Sequence, residues 1–265
     1  ELLGLSYRQT KRVWRRYQAE GDAGLVHGLR GQPSPRRKPP ALRAQVLARY
    51  AEERYADFGP TLMAEHLARE GLVVDHETLR RWRLAEGQWT VRRRRQKHRQ
   101  WRERKPCFGA MVQLDGSHHD WFEGRREPCV LMVMVDDATN PPWAHLGEEE
   151  TIWAAADALR AWIERHGVPW ALYVDWKNLY KRGATPGERL RGEEPITQFG
   201  RMCERLGIEL IAASSPQAKG RVERMHGTHQ DRLVKKLRRK EIATHAQANA
   251  YLEAEYLPDH NRRFA

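Results

Sequence analysis

The sequence predicts a multidomain chain: two small all-α units of helix-turn-helix character, then a larger α/β unit with a five-stranded mixed sheet. Three observations predict this division. Basic residues crowd the first 105 positions. Two segments rich in Arg, Pro and Gly, or in Arg and Lys, make poor core and good linker, and they bound the units at 1–29, 30–40, 41–90, 91–108 and 109–265. From residue 109 onward, short apolar runs alternate with stretches of helical periodicity.

In the first unit, Gly4 breaks a helix, Ser6 with Gln9 forms a capping box, and Gly21 ends the helix that follows. Tyr7, Val13, Trp14 and Tyr17 can share its inward face, with Arg8, Lys11, Arg12, Arg15 and Arg16 mostly on the other. A helix end, a Gly-containing turn and a basic second helix make the helix-turn-helix pattern, with its first helices expected before Glu1. The second unit spaces Leu42, Val46, Leu47 and Tyr50 on one helix and Leu62 and Leu67 on another, over about 61–70. Asp75 caps a third, with Leu79 and Trp82 inward and Arg80, Arg81 and Arg83 outward, a helix-turn-helix or winged-helix pattern. The linker, with Arg30, Arg36 and Arg37, has AT-hook character, although Gln32 removes a minor-groove charge. Taken alone it reads as a flexible basic tether. The second linker contributes Arg92, Arg93, Arg94 and Arg95.

In the third unit the strands are expected at 110–114, 129–135, 142–145, 170–174 and 208–212. Helices are expected at about 150–167 and 196–206, from Ser215-Pro216 to about Arg239, and from Thr244 to Leu257. The order is that of a mixed α/β domain.

The chain carries 47 Lys+Arg against 35 Asp+Glu, a formal charge of +12, which points to a polyanion and first of all to nucleic acid. No apolar run approaches the ~18 residues of a membrane span. Cys107, Cys129 and Cys203 form no C-x-x-C pair, so neither a disulfide scaffold nor a Cys-based zinc site is expected, and a cytoplasmic, nucleoid-associated location is.

Two features carry chemistry. Asp115 and Asp175 each follow an apolar strand, where ligand sites of α/β sheets collect. Glu223 lies on a helix with Lys219, His226, Gly227 and Gln230 at helical spacing, one polar stripe opposite Val222, Met225, Leu233 and Leu237. Any one of these acids alone reads as a solvated cap. Three converging carboxylates would hold two Mg²⁺ ions, with Mn²⁺ as a substitute, for in-line phosphoryl transfer. Lys219 and Arg221, at the turn into the helix, are expected to touch phosphate.

The order of elements, together with LDGSHHDW, VDWKNLY and SSPQAKGRVERMHGT, resembles the RNase H-like integrase core of DDE transposases, and within them the ISNCY group of bacterial insertion-sequence transposases. MVMVDDAT and the closing NRRF match as well. The resemblance implies that Asp115, Asp175 and Glu223 are the catalytic and metal-binding acids. It implies binding of double-stranded DNA (terminal inverted repeats and target), hydrolytic nicking at the element ends, and attack of the exposed 3′-hydroxyls on target DNA. A homodimer or larger synaptic complex is implied, as is a further β-rich domain after residue 265. Asp175 and Glu223 are 47 residues apart in between, more than in the retroviral pattern, so 182–194 is read as a loop insertion.

Other readings stay open at this level. Asp136 or Asp137 could stand in for one acid if the strand registers differ. His118-His119 suggests a metal pair but reads better as an exposed or DNA-contacting loop, and Trp121 and Trp176 read as packing groups. A catalytically silent DNA-binding protein and an RNase H-like nuclease are the alternative functions.

Overall fold

The computed structural model describes residues 4–27, 29–90, 103–177, 179–192, 195–213 and 219–264. Arg92, Arg93, Arg94 and Arg95 lie outside them, as do Ser214, Ser215 and Pro216.

Helix α1 (Tyr7–Glu20) starts on the expected capping box, Ser6 accepting from the Gln9 N–H while the Gln9 side chain accepts from Ser6. It stops at Gly21, whose φ of 61° a side chain would resist. A 3-10 turn (Gly21–Leu25) folds back so closely that a Cβ on Gly24 would lie 2.4 Å from the Arg16 carbonyl oxygen. The described part of this unit is thus one helix and a turn, and the helix end expected before Gly4 lies outside the described residues. The expected inward face of α1 is not buried. Tyr7 is 81% and Trp14 55% exposed, because no described element packs over them; Trp14 stacks on Tyr17.

The second unit forms three helices, α2 (Pro40–Tyr50), α3 (Pro60–Arg69) and α4 (His76–Ala85), around Val46, Tyr50, Tyr55, Phe58, Leu62, Met63, Leu67 and Leu79. Pro at the first position starts α2 and α3, and Asp75 caps α4 by accepting from the Glu77 N–H. Among the described residues this unit has no strand, hence no wing. Arg83 departs from the outward reading. It lies buried over the Tyr50 ring and beside Trp89 and donates to the Phe58 carbonyl, since its position on α4, one turn after the buried Leu79, faces the core, where the rings and the carbonyl take up its charge.

The α/β unit is built on β1 (Val112–His119), β2 (Cys129–Asp136), β3 (Pro142–Gly147), β4 (Ala171–Val174) and β5 (Glu209–Ala212). The order is β3-β2-β1-β4-β5, antiparallel among the first three and parallel from β1 to β4 to β5. This is the expected five-stranded mixed sheet. Strand β2 is buried along its whole length because both of its faces are covered. Val130, Met132 and Met134 pack toward α5 (Ile152–His166) and α7 (Gln198–Arg205). Cys129, Leu131, Val133 and Val135 pack toward α8 (Gly220–Arg239) and the C-terminal helices.

The last helical stretch exceeds its expected end. Helix α9 (His245–Tyr251) continues through a π-helical turn (Leu252–Tyr256) into α10 (Leu257–Phe264). Pro258, which lacks an N–H and crowds the preceding turn, is accommodated directly after that wider π turn. The 182–194 insertion is also not plain loop. It carries α6 (Pro186–Arg191), capped by Thr185 and tied by Glu188 to Arg182.

The second helical unit docks on α8 and α10. Glu65 of α3 accepts twice from Arg232 of α8, at 2.8 and 2.9 Å, and Arg69 reaches Asp259 of α10 at 2.9 Å. Arg238 pairs with Asp57, and Arg239 lies 2.7 Å from His66.

Candidate active site and basic surfaces

The geometry around Asp115 and Asp175 follows from strand register. Val112 pairs with Leu172 and Gln113 with Tyr173, so continuing the parallel ladder brings Asp115 level with Asp175 one strand away. Asp175 directly follows β4, as expected. Asp115 does not end its strand. It sits mid-strand opposite Val133, and β4 stops beside it, opening that edge.

Residues 113, 115 and 117 share one face of β1, and α8 runs along it. The Val222 N–H donates to Gln113 Oε1, His226 Nε2 lies 3.1 Å from Asp115 Oδ2, and Gln230 donates to Ser117 Oγ. Every fourth helical residue meets every second strand residue because a rise of ~6 Å for four helical residues matches ~6.6 Å for two strand residues. Val222, Met225, Leu233 and Leu237 bury the apolar side of α8 as expected.

Lys219, at the start of α8, lies between the two acids. Its Nζ is 3.0 Å from Asp115 Oδ1, 2.8 Å from Asp175 Oδ1 and 3.3 Å from the Leu114 carbonyl oxygen. Burial pushes the Asp115 carboxyl upward, but the His226 hydrogen bond and the Lys219 ammonium outweigh it and hold the group at about 2. Three oxygens gathered around one cation are the donor chemistry that a hard divalent cation takes, so Asp115 and Asp175 fit such an ion. Glu223, one turn after Lys219, is exposed, and among the described residues no three His, Cys, Asp or Glu side chains form a metal-binding group. The polar stripe of α8 is therefore divided, with Lys219, His226 and Gln230 on the strand and Glu223 and Gly227 in solvent.

A second polar group borders the pair. Glu150 accepts from Lys177 Nζ at 2.7 Å and from Tyr180 Oη at 3.3 Å, and Lys177 is 3.9 Å from Asp175. Burial, then the neighbouring Glu150 and Asp115 charges, push the Tyr180 phenol up. A Cβ on Gly116 would meet Glu150 Oε2 at 2.7 Å, so a side chain there would displace this carboxylate. Sequence reasoning missed Glu150, Lys177 and Tyr180. It also missed the alternation of Gln113, Asp115 and Ser117 against Val112 and Leu114, a period-2 signal that was present.

The alternative acids serve the fold. Asp136 takes N–H bonds from Gly109 and Thr139, and Asp137 takes Gln113 Nε2, the Lys105 N–H and Arg221. Asp136 pairs with Val112, three rungs from Asp115. Trp121 is packed as expected, donating to the Ser117 carbonyl, whereas Trp176 is 67% exposed because it extends past the end of β4. His118 is exposed at the end of β1, and His119 lies edge-on to Trp121.

Of the expected DNA-contacting residues, Arg8, Lys11, Arg12 and Arg15 are exposed along α1, and Arg16 is half-buried. Arg30, Arg36 and Arg37 are exposed in the linker. Arg36, Arg37, Lys38 and Arg43 line a cleft of about 630 Å³ together with Arg81 and Trp82 of α4. Arg80 is bound by both oxygens of Glu77. Lys219 is 3% exposed and Arg221 faces Asp137, so neither presents its charge to a phosphate in this arrangement. Their positions at the start of α8 put them under the helix, against the acids of the sheet. No described helix is long and apolar enough to cross a membrane, and the three cysteines are free.

A homeodomain-like domain family matches residues 10–83. The whole chain is 42% identical to a "Putative transposase y4bF" of Sinorhizobium fredii and covers 57% of that protein. Over 99% of its length it is 28% identical to the transposase for insertion sequence IS1202 of Streptococcus pneumoniae, of which it covers 63%. The chain thus spans about three fifths of these curated relatives. Among solved structures, a chain of the simian T-cell lymphotropic virus intasome in complex with PP2A regulatory subunit B56 gamma matches 61% of this chain and 54% of its own length, at 20% identity and a TM-score of 0.46. The HTLV-2 integrase catalytic core domain in complex with magnesium matches 56% and 88%, at 18% identity and a TM-score of 0.41.

Proposed function

With similarity to a putative transposase and to the transposase for an insertion sequence as the premise, we propose that this chain holds the DNA-binding and catalytic parts of a DDE transposase that nicks element ends and joins their 3′-hydroxyls to target DNA. The observation that carries the reading is the pairing of Asp115 and Asp175 on adjacent parallel strands around one shared cation position. Asp115, Asp175 and Glu223 are the catalytic acids of this proposal and would hold Mg²⁺, or Mn²⁺ in its place, two ions per site. Such a pair of ions activates the attacking oxygen and stabilises the leaving one. The chain's own acids need no proton-transfer role, and the carboxyl of Asp115, held at about 2, stays ionised near neutral pH. His226 orients Asp115, and the contacts of Val222 and Gln230 with β1 set the height of α8 and so of Glu223.

Arg8, Lys11, Arg12, Arg15 and Arg16, with Arg30, Arg36, Arg37, Arg80 and Arg81, are proposed to grip the terminal inverted repeats, acting first through phosphate neutralisation. Synapsis of two ends calls for a homodimer or larger assembly, and the protein would act in the cytoplasm on the nucleoid. The test is nicking of supercoiled plasmid with Mn²⁺. Wild type should nick, and Asp175→Asn should not while still binding DNA. Equal nicking by both removes Asp175 from the chemistry. The exposed, separate position of Glu223 favours one second reading, a catalytically silent DNA-binding protein; binding without nicking by wild type would support it.

A further inference from the structure

We propose that Lys219 is a built-in counter-ion for the two aspartates, one that a divalent cation must displace before the site is loaded. The inference rests on the reading that Asp115 and Asp175 hold metal.

Two carboxylates on adjacent strands repel each other unless a positive charge lies between them. Here that charge is the Lys219 ammonium. It has three N–H donors, and it has three acceptors within reach, one oxygen from each aspartate and the Leu114 carbonyl. No donor remains for a phosphate, and the side chain is 3% exposed. The ammonium and a metal ion would use the same aspartate oxygens, so both cannot occupy that position.

Lys219 is not needed to hold α8 in place. Val222, His226 and Gln230 already tie the helix to β1, and Val222, Met225, Leu233 and Leu237 bury its apolar side. The same electrostatics account for Glu223. Two aspartates and one ammonium already leave a net negative charge, so a third carboxylate gains nothing by approaching and stays in solvent. Once Lys219 withdraws in favour of a doubly charged ion, the balance reverses and favours Glu223 moving in. The displaced ammonium, with three free donors beside the reaction centre, becomes available to substrate phosphate.

The test is Mn²⁺ binding by the full chain, measured by calorimetry and by the free-Mn²⁺ paramagnetic resonance signal, without DNA. Lys219→Met and Lys219→Gln should each bind Mn²⁺ at least tenfold more tightly than wild type. In EDTA both should melt at lower temperature than wild type, and saturating Mn²⁺ should close the gap. Lys177→Met is the control for general electrostatics, because Lys177 is near Asp175 but does not lie between the acids; its affinity should change less than threefold. Unchanged or weaker binding by both Lys219 variants overturns the exchange while leaving the metal reading intact. An equal gain from Lys177→Met also overturns it. If neither wild type nor the Lys219 variants bind Mn²⁺, or if Asp115→Asn with Asp175→Asn binds as wild type does, the metal reading itself fails.

Discussion

Arg232→Met should destabilise the protein by about 3 kcal/mol, although Arg232 lies far along α8 from the acids. The Arg232 side chain is 9% exposed and its partner Glu65 12%, and one guanidinium nitrogen reaches both carboxylate oxygens, at 2.8 and 2.9 Å. Removing one member of a buried pair leaves an uncompensated charge and costs about 3–5 kcal/mol. Arg263, 3.6 Å from Glu65, offsets part of that, which places the expected loss at the low end. At about 2–4 °C per kcal/mol for a chain of this size, the melting temperature should fall by about 6–12 °C. The assay is urea and thermal unfolding followed by circular dichroism, for Arg232→Met, Glu65→Met and the double variant. Because the attraction within a buried pair is largely offset by desolvation, the double variant should recover to within about 1 kcal/mol of wild type. A single-variant loss under 0.5 kcal/mol, or additive losses in the double variant, would refute the docking of the helical unit on α8 as described.

Stability should fall as pH drops from about 6.5 toward 4. Burial, foremost, holds His260 down at about 4 and His66 at about 3, and it holds His229 well below the ordinary imidazole range. The unfolded chain therefore takes up protons first, below pH 6.5, and the loss is complete once pH passes the folded values; a melting temperature that is flat between pH 6.5 and 4.5 would contradict this. Below pH 3.8 the depressed carboxyls of Asp115 and Asp259, both at about 2, add to the fall in the same direction. Gly116→Ala should cost about 1 kcal/mol, the net worth of a displaced hydrogen bond, by pushing the Glu150 carboxylate off Lys177 and Tyr180, read by urea unfolding. Arg8→Gln, Lys11→Gln and Arg12→Gln together should reduce the slope of log affinity for DNA against log salt, measured by fluorescence anisotropy, by about 0.9 for each phosphate that is no longer neutralised.

What could be read from the sequence was what local chemistry decides. Capping by Ser6 and Asp75, the stop at Gly21 and the buried β2 follow from side chains acting on their own segment. What escaped depends on partners distant in sequence. The length of β1 past Asp115 is set by its antiparallel partner β2, so an apolar-run criterion ended the strand too early, before Asp115. The aromatic face of α1 has helical spacing, yet spacing says nothing about whether a partner covers it. Arg83 looked like one of a basic trio, and only the position of Tyr50 on another helix makes it a core residue. At the candidate site, the three acids and Lys219 were visible as residues. That the lysine lies between two of them and the third stands apart follows from the register of β1, β4 and α8 together.

The proposed function rests on the joining of DNA ends by Asp115, Asp175 and Glu223. The most direct measurement is strand transfer: supercoiled plasmid and a labelled oligonucleotide with a recessed end, incubated with Mn²⁺ and either wild type or Glu223→Gln. Wild type should give labelled joined product and Glu223→Gln none, at unchanged DNA affinity. Joining that survives Glu223→Gln would contradict the assigned acid, and cutting without joining would contradict the transposase reading in favour of a nuclease.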